Sequence, residues 1–149
     1  MGPLICCLDD TDGAREALPV AHELATRLKL ELVLLHVAPP TELPGVSAAR
    51  AGQQRLQDAE IGDAESLLAQ LADEGGLAPE VRTRTAIGHP AERIIALCEE
   101  EQAAIVVLGS RGRGGIRSAL LGSVSSEVAA KAPCPCVIVS PSAARNFLT

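Results

Sequence analysis

The chain has 149 residues, of which 47% are hydrophobic and only 1% aromatic, and its formal net charge at pH 7 is −6. This length predicts a single domain, 1–149, with an aliphatic core, while the acidic charge and the lack of stacking aromatics argue against nucleic-acid binding. Because no apolar run reaches the roughly 18 residues of a membrane span and no signal peptide is evident, we expect a cytoplasmic protein that does not enter a membrane.

Short apolar runs alternate with amphipathic segments along the whole chain. The apolar runs have the length of buried strands, and the segments between them repeat apolar residues at helical spacing. In chain order, the predicted elements are a strand over Leu4–Leu8, a helix capped by Thr11 or Asp12 and running to about Leu28, a strand over Leu32–Val37, a loop over Ala38–Gly52, a helix to about Glu74, a strand over Glu80–Ile87, a helix from Pro90, a strand over Ala103–Leu108, a helix over Ser123–Lys131 and a strand over Cys136–Ser140.

The third predicted strand differs from the others because Arg82 and Arg84 make one of its faces polar, which is typical of a sheet edge. Strands buried on both sides and joined by helices predict an α/β fold, with one five-stranded parallel sheet and helices on both faces. With strand three outermost, the strand order is 3-2-1-4-5. Ligands bind such sheets beyond the carboxyl ends of the strands where the order reverses, here near Asp9 and Gly109.

A glycine-rich segment follows the fourth predicted strand. From Gly109 to Ser123 it reads Gly-Ser-Arg-Gly-Arg-Gly-Gly-Ile-Arg-Ser-Ala-Leu-Leu-Gly-Ser. Glycines let backbone N–H groups approach an anion, and the start of the next helix adds partial positive charge. Together with three arginines in an acidic chain, this pattern predicts a nucleotide phosphate site. It matches neither the P-loop pattern, which needs a lysine, nor Gly-x-Gly-x-x-Gly.

Several residues also have simpler interpretations. Asp9, Ser123 and Ser125 can act as helix N-caps, the commonest use of such residues at these places. His36, at a strand end, is more often a hydrogen-bonded core histidine than a ligand or base. We interpret Glu99-Glu100-Glu101 as a solvated charge run rather than a metal site.

The five cysteines are odd in number and scattered among apolar neighbours. This pattern predicts buried free thiols in a reducing compartment rather than a disulfide framework. Cys134 and Cys136 stand one residue apart, but no second pair matches them, so a structural zinc site is disfavoured.

One spacing is more specific than the rest. This spacing resembles that of the ATP-binding branch of the universal stress protein family: Gly109-x-x-Gly112 is followed, after nine residues, by Gly122-Ser123. The resemblance runs along nearly the whole chain. Further matching segments are Leu8-Asp9, Leu35-His36-Val37, Gly88-His89-Pro90 and Ala132-Pro133-Cys134-Pro135. The resemblance implies a Rossmann-like fold of the adenine nucleotide alpha hydrolase-like class, with ATP or another adenine nucleotide as the ligand.

The resemblance also implies a role for each matching position. Mg²⁺ would be held largely by phosphate oxygens, with help from a serine hydroxyl or water. The implied contacts are Asp9 with Cys7 and Leu8 at the ribose or adenine, Val37 and Leu108 along the adenine, Gly109, Arg111, Gly112 and Arg113 around the sugar and the α- and β-phosphates, and Gly122, Ser123, Val124 and Ser125 at the β- and γ-phosphates.

No residue in the sequence stands out as a dedicated general base, and no acidic pair is placed to activate a metal-bound water. The resemblance therefore implies a stress-response regulatory module with slow hydrolysis or none, in which ATP occupancy sets conformation or partner choice. Two alternatives stay open. One is an adenylate-handling enzyme that transfers AMP or hydrolyses ATP on the same scaffold, and the other is a nucleotide-free dimeric scaffold.

The last predicted strand lies at a sheet edge but is apolar on both faces. An unprotected edge of this kind predicts pairing with a second copy, which would form a homodimer. The strand residues concerned are Cys136, Val137, Ile138 and Val139. The alternative is that 142–149 folds back over this edge.

Overall fold

A computed structural model describes residues 1–9, 12–40, 50–110 and 122–149 of the chain. Over these residues strands and helices alternate as predicted, with boundaries shifted by up to three residues. None of the helices in this part of the chain is long and apolar enough to cross a membrane. The elements are β1 (Leu4–Cys7), α1 (Asp12–Leu28), β2 (Leu32–Ala38), α2 (Arg50–Glu74), β3 (Arg82–Ile87), α3 (Pro90–Glu100), β4 (Ile105–Gly109), α4 (Ser123–Lys131), β5 (Cys136–Val139) and α5 (Pro141–Leu148).

The five strands form one parallel sheet in the order β3-β2-β1-β4-β5, which confirms the predicted topology. β1 is central, and its Leu4 lies opposite Leu32 of β2 and Ile105 of β4. The chain moves outward through β2 and β3 and then crosses back to β4. The strand order therefore reverses between β1 and β4, where a crevice opens at the carboxyl ends.

The core has two layers because successive residues of a strand point to opposite faces of the sheet. Leu4 and Cys6 pack with α1, α2 and α5 on one face, whereas Ile5 packs with α3 and α4 on the other. All three side chains are fully buried. Helices therefore cover both faces, as predicted, and the crevice lies between their first turns.

The edge strand β3 carries an ion-pair cluster that the sequence interpretation did not foresee. Both Arg82 and Arg84 contact the carboxylate of Glu101, at N–O distances of 2.6 and 2.7 Å. The Glu101 side chain is only 13% exposed, so describing Glu99-Glu100-Glu101 as a solvated run is wrong for Glu101. The chain turns back toward the β3 edge as α3 ends, which brings Glu101 to the two arginines.

The chain ends in a helix, α5, that was not predicted. Its N-cap, Ser140, accepts a hydrogen bond from the backbone N–H of Ala143, and Pro141 occupies the first turn. Ala144 is buried where α5 packs against α1. A Ser-Pro pair is a common helix start, so the signal was present in a segment too short to show helical periodicity.

Candidate functional site

A cavity of about 240 Å³ opens at the carboxyl ends of β1, β2 and β4. Ten of the residues predicted to contact a ligand line it. The other three, Arg111, Gly112 and Arg113, lie outside the described residues. The ten are Cys7, Leu8, Asp9, Val37, Leu108, Gly109, Gly122, Ser123, Val124 and Ser125.

Three helices begin at this cavity, since its lining includes Ala14 from the first turn of α1, Pro90 of α3 and Ser123 of α4. The N–H groups in the first turn of a helix have no partner within the helix, and the helix dipole places partial positive charge there. At α4 the N-cap is Gly122, which supplies no side-chain cap. The start of α4 is therefore suited to an anion, and phosphate is a common ligand of such ends.

One wall of the cavity is aliphatic. Leu35, Val37, Ile94 and Leu108 line it, and all four belong to the core layer on the α3–α4 face of the sheet. The half-buried thiol of Cys7 is part of the same layer. An apolar wall opposite a few polar groups is typical of small-molecule sites, where the apolar part holds a ring and the polar groups orient it.

A hydrogen bond joins the start of α4 to the end of β4. The Ser125 hydroxyl donates to the carbonyl of Gly109 at 2.9 Å, and Ser125 is only 5% exposed. Because the single hydroxyl hydrogen is used in this bond, Ser125 positions the helix start and cannot also donate that hydrogen to a ligand. Ser123 is exposed beside it and lines the cavity, so its hydroxyl is the one suited to a ligand contact.

The end of β1 is anchored by β2. The ring nitrogen Nδ1 of His36 lies 2.7 Å from the carbonyl oxygen of Leu8, and the Leu8 N–H donates to the carbonyl of Leu35. Because a carbonyl only accepts, Nδ1 carries the hydrogen. The interpretation of His36 as a hydrogen-bonded histidine is confirmed. These bonds hold Leu8 and Asp9 at the rim of the cavity.

Six residues of the lining were not predicted as site residues. Pro90 and Ile94 come from the first turns of α3, and a signal for them existed. A helix that follows a parallel strand begins at the carboxyl edge of the sheet, so its first inward residues face the crevice. The six lining residues that were not predicted are Ala14, Leu35, His36, Pro39, Pro90 and Ile94.

Asp9 is the only residue with a carboxylate among the described residues that line the cavity. Across the described ranges, no group of three or more His, Cys, Asp and Glu residues converges to hold a metal ion. One carboxylate and the Ser123 hydroxyl fit a Mg²⁺ ion that takes most of its oxygen ligands from a bound phosphate chain and water.

The sequence and the fold both match known proteins. The model of the universal stress protein family matches residues 1–140. A universal stress protein of Thermus aquaticus is 32% identical over 139 residues, covering 91% of this chain and 96% of its own. One from Mycolicibacterium smegmatis is 34% identical over 141 residues, or 93% of this chain, which spans only 46% of that longer relative.

Among solved structures, UspA from Lactobacillus plantarum superposes with a TM-score of 0.75 at 23% identity, covering 92% of this chain and 97% of its own. Two similar structures contain adenine nucleotides. A universal stress protein in complex with cAMP has a TM-score of 0.59 at 22% identity and covers 93% of this chain and 96% of its own. One from Archaeoglobus fulgidus in complex with dAMP has a TM-score of 0.59 at 21% identity, with coverages of 93% and 97%. At these identities the likeness establishes the fold.

Proposed function

Because the chain belongs to the universal stress protein family, we propose that it is an adenine-nucleotide-binding regulatory module whose occupancy sets its conformation or its choice of partner. The observation that carries the proposal is the composition of one cavity. It combines an aliphatic wall with an uncapped helix N-terminus at the point where the strand order reverses.

The aliphatic wall supports binding of a flat base. Val37 and Leu108 come from strands on either side of β1, and Ile94 faces them from α3. A purine ring between these side chains would remove apolar surface from water on both of its faces. In this proposal Asp9 accepts a hydrogen bond from the ribose or the adenine, with Cys7 and Leu8 alongside.

The start of α4 supports phosphate binding. Gly122, Ser123 and Val124 line the cavity together with Ser125, and backbone N–H groups in this turn can donate to phosphate oxygens. Arg111 and Arg113 would add positive charge, and Gly109 with Gly112 would allow the sugar and phosphates to approach the backbone closely. Ser125 would contribute through its backbone, because its hydroxyl bonds Gly109.

ATP with Mg²⁺ is the ligand that we propose, and the cAMP and dAMP complexes of two neighbours support the choice of an adenine nucleotide. We expect slow hydrolysis or none. Asp9 supplies the one carboxylate among the described lining residues, and a single carboxylate that binds ribose is not also placed as a general base. A regulatory role follows, because a nucleotide that is not turned over rapidly can only act through its occupancy.

The sheet edge supports a further part of the proposal, a homodimer through β5. Cys136, Val137 and Ile138 are only half-buried at this edge, whereas the opposite edge strand carries the paired charges of Arg82 and Arg84. An apolar edge without charges invites another strand. Pairing β5 with β5 of a second copy about a twofold axis would extend one sheet through both subunits.

Titration calorimetry of the purified protein with ATP and Mg²⁺ tests the proposal, with GTP as the matched control for base recognition. We expect saturable binding of ATP with micromolar affinity and a clear preference over GTP. Absence of both heat and thermal stabilisation with every adenine nucleotide would favour the nucleotide-free scaffold. Turnover of ATP near the typical enzyme value of about 10 per second would favour the adenylate-handling enzyme.

A further inference from the structure

The paired region of β1 and β2 ends at the rim of the cavity. Its last matched pair is Cys7 opposite Leu35, and the N–H of Leu8 still bonds to the Leu35 carbonyl at 2.7 Å. β2 continues to Ala38 alongside β3, whereas β1 ends at Cys7. The carbonyl of Leu8 therefore lies just beyond the paired region, where the two strands separate.

A side chain of β2 bonds to this carbonyl. The Nδ1–H of His36 donates to the Leu8 oxygen at 2.7 Å, across 28 residues of the chain. The backbone of His36 is itself held in register opposite Thr85 of β3, so the half-buried ring starts from a fixed strand. The N–H and the C=O of the buried Leu8 are thus both bonded to β2.

The bond from His36 also fixes the residue that follows. The Leu8 carbonyl and the Asp9 N–H belong to one planar peptide group, which ends at the Asp9 Cα atom. Holding the carbonyl therefore sets the direction in which the chain leaves β1 and the point from which the Asp9 side chain starts. Asp9 lines the cavity and is the one residue with a carboxylate among the described lining residues.

We propose that His36 is a positioning residue of the nucleotide site, which acts on the Asp9 carboxylate through the peptide group between Leu8 and Asp9. This role rests on the proposed function, in which Asp9 bonds to the ribose or the adenine. A group that is ordered before the ligand arrives binds it more tightly, because its freedom is lost on folding and not on binding. Without the donor on His36, the ligand itself must order Asp9, and the affinity falls.

Two substitutions at His36 separate the hydrogen bond from the shape of the side chain. In His36→Asn the amide nitrogen is as many bonds from Cα as Nδ1 is, so it can donate to the Leu8 carbonyl. His36→Leu has a similar branch but no donor. Calorimetric titration should show ATP binding about tenfold weaker in His36→Leu, the loss expected for one hydrogen bond, and within about threefold of wild type in His36→Asn.

A double-mutant cycle tests whether His36 acts through Asp9. Asp9→Ala removes the carboxylate, so adding His36→Leu to Asp9→Ala should cause no further loss of affinity for ATP. Val33→Ala, at a fully buried position near the start of β2, is the control for destabilisation alone. It should lower the melting temperature and leave the affinity unchanged.

If His36→Leu does not fold, His36→Gln replaces it, because the Gln amide nitrogen is one bond farther from Cα than Nδ1 and should restore less affinity than Asn. Equal affinity of wild type and His36→Leu overturns the positioning role and leaves the proposed function standing, whereas wild-type protein that binds no adenine nucleotide overturns both. His36→Asn that binds no better than His36→Leu or His36→Gln also overturns the positioning role. So does a full loss from His36→Leu in the Asp9→Ala background, since the ring would then act without Asp9.

Discussion

A Cβ atom placed on Gly109 would lie 2.8 Å from the carbonyl oxygen of Gly13 and 3.2 Å from its Cα. The last residue of β4 therefore runs directly against the backbone at the start of α1. This approach brings the starts of α1 and α4, which cover opposite faces of the sheet, together at the carboxyl end of β4, because the carbonyl of Gly109 also accepts the hydrogen bond from Ser125. Gly109 is thus needed by the fold itself, before any ligand is considered.

Gly109→Ala should destabilise the protein by about 1–3 kcal/mol, the usual range for a methyl group forced into a closely packed site. The obstacle is backbone rather than a flexible side chain, so the end of β4 or the first turn of α1 must move. Denaturant unfolding measures the change. Gly122→Ala is the control, because its Cβ would meet only the carbonyl oxygen of Ser110 at 3.8 Å. Equal stability of the two variants would contradict this explanation.

Gly122→Ala should instead weaken binding of ATP by tenfold or more, which corresponds to about 1.4 kcal/mol. Gly122 has an extended backbone with φ −61°, which any residue adopts, so the fold leaves room for a side chain there. A methyl group at this N-cap would narrow the approach to the first turn of α4. Calorimetric titration gives the affinity, and Gly62→Ala, at an open position of α2, should leave it unchanged. Unaltered affinity in Gly122→Ala would count against phosphate binding at α4.

The topology could be predicted from sequence because its determinants are local. The polar face of β3, with Arg82 and Arg84, places that strand at an edge, and apolar runs indicate that β1, β2 and β4 are buried inside the sheet. The partner of those arginines could not be predicted in the same way. Glu101 follows α3 at the end of an acidic run, and nothing in that run distinguishes the one carboxylate that the fold turns toward β3.

The site shows the same division between local and long-range information. Residues that follow a strand or begin a helix, such as Asp9 and Ser123, could be identified from their position in the alternating pattern. The bond from Ser125 to Gly109 spans sixteen residues and depends on how α4 meets β4. The sequence analysis considered Ser125 as a helix N-cap, whereas in the structure its hydroxyl donates to the Gly109 carbonyl. A serine near a helix start has several possible hydrogen-bond partners, so the local sequence does not determine which one it uses.

Ser125→Ala should lower the stability of the protein by about 1 kcal/mol and weaken nucleotide binding, because it removes the donor to the Gly109 carbonyl. Without that bond, the first turn of α4 is no longer held at a fixed distance from the end of β4. Ser126→Ala, at the next and exposed position, is the matched control and should change neither property. Thermal unfolding with and without ATP measures both effects. If Ser125→Ala behaves like Ser126→Ala, the hydroxyl does not position the helix.

Glu101→Gln should destabilise the protein by about 1–2 kcal/mol at pH 7, since the carboxylate of Glu101 pairs with both Arg82 and Arg84. Hydrogen bonds from Arg82 are the main reason that the pKa of Glu101 lies below its usual value. A lowered pKa in the folded state means that this stabilisation is present above the pKa of the unfolded chain, near 4.3, and is lost as the pH falls through the folded value.

The difference in free energy of unfolding between wild type and Glu101→Gln should therefore shrink as the pH is lowered from 7 toward 3. Glu100→Gln is the control: Glu100 is largely exposed and lies 3.7 Å from Arg84, so its loss should have little effect. Urea unfolding at several pH values provides the comparison. A difference that stays constant down to pH 3 would show that the negative charge of Glu101 is not what stabilises the edge.

Val137→Lys should convert the proposed dimer into a monomer. Val137 is half-buried in β5 at the sheet edge, and a lysine in each of two paired strands would bring like charges together across the twofold axis. Sedimentation velocity at micromolar protein concentration measures the oligomeric state. Thr83→Lys, which adds the same charge to an exposed position of the opposite edge strand β3, should remain dimeric. If the wild-type protein sediments as a monomer, the proposal of a homodimer is wrong. A dimer unaffected by Val137→Lys would place the interface elsewhere.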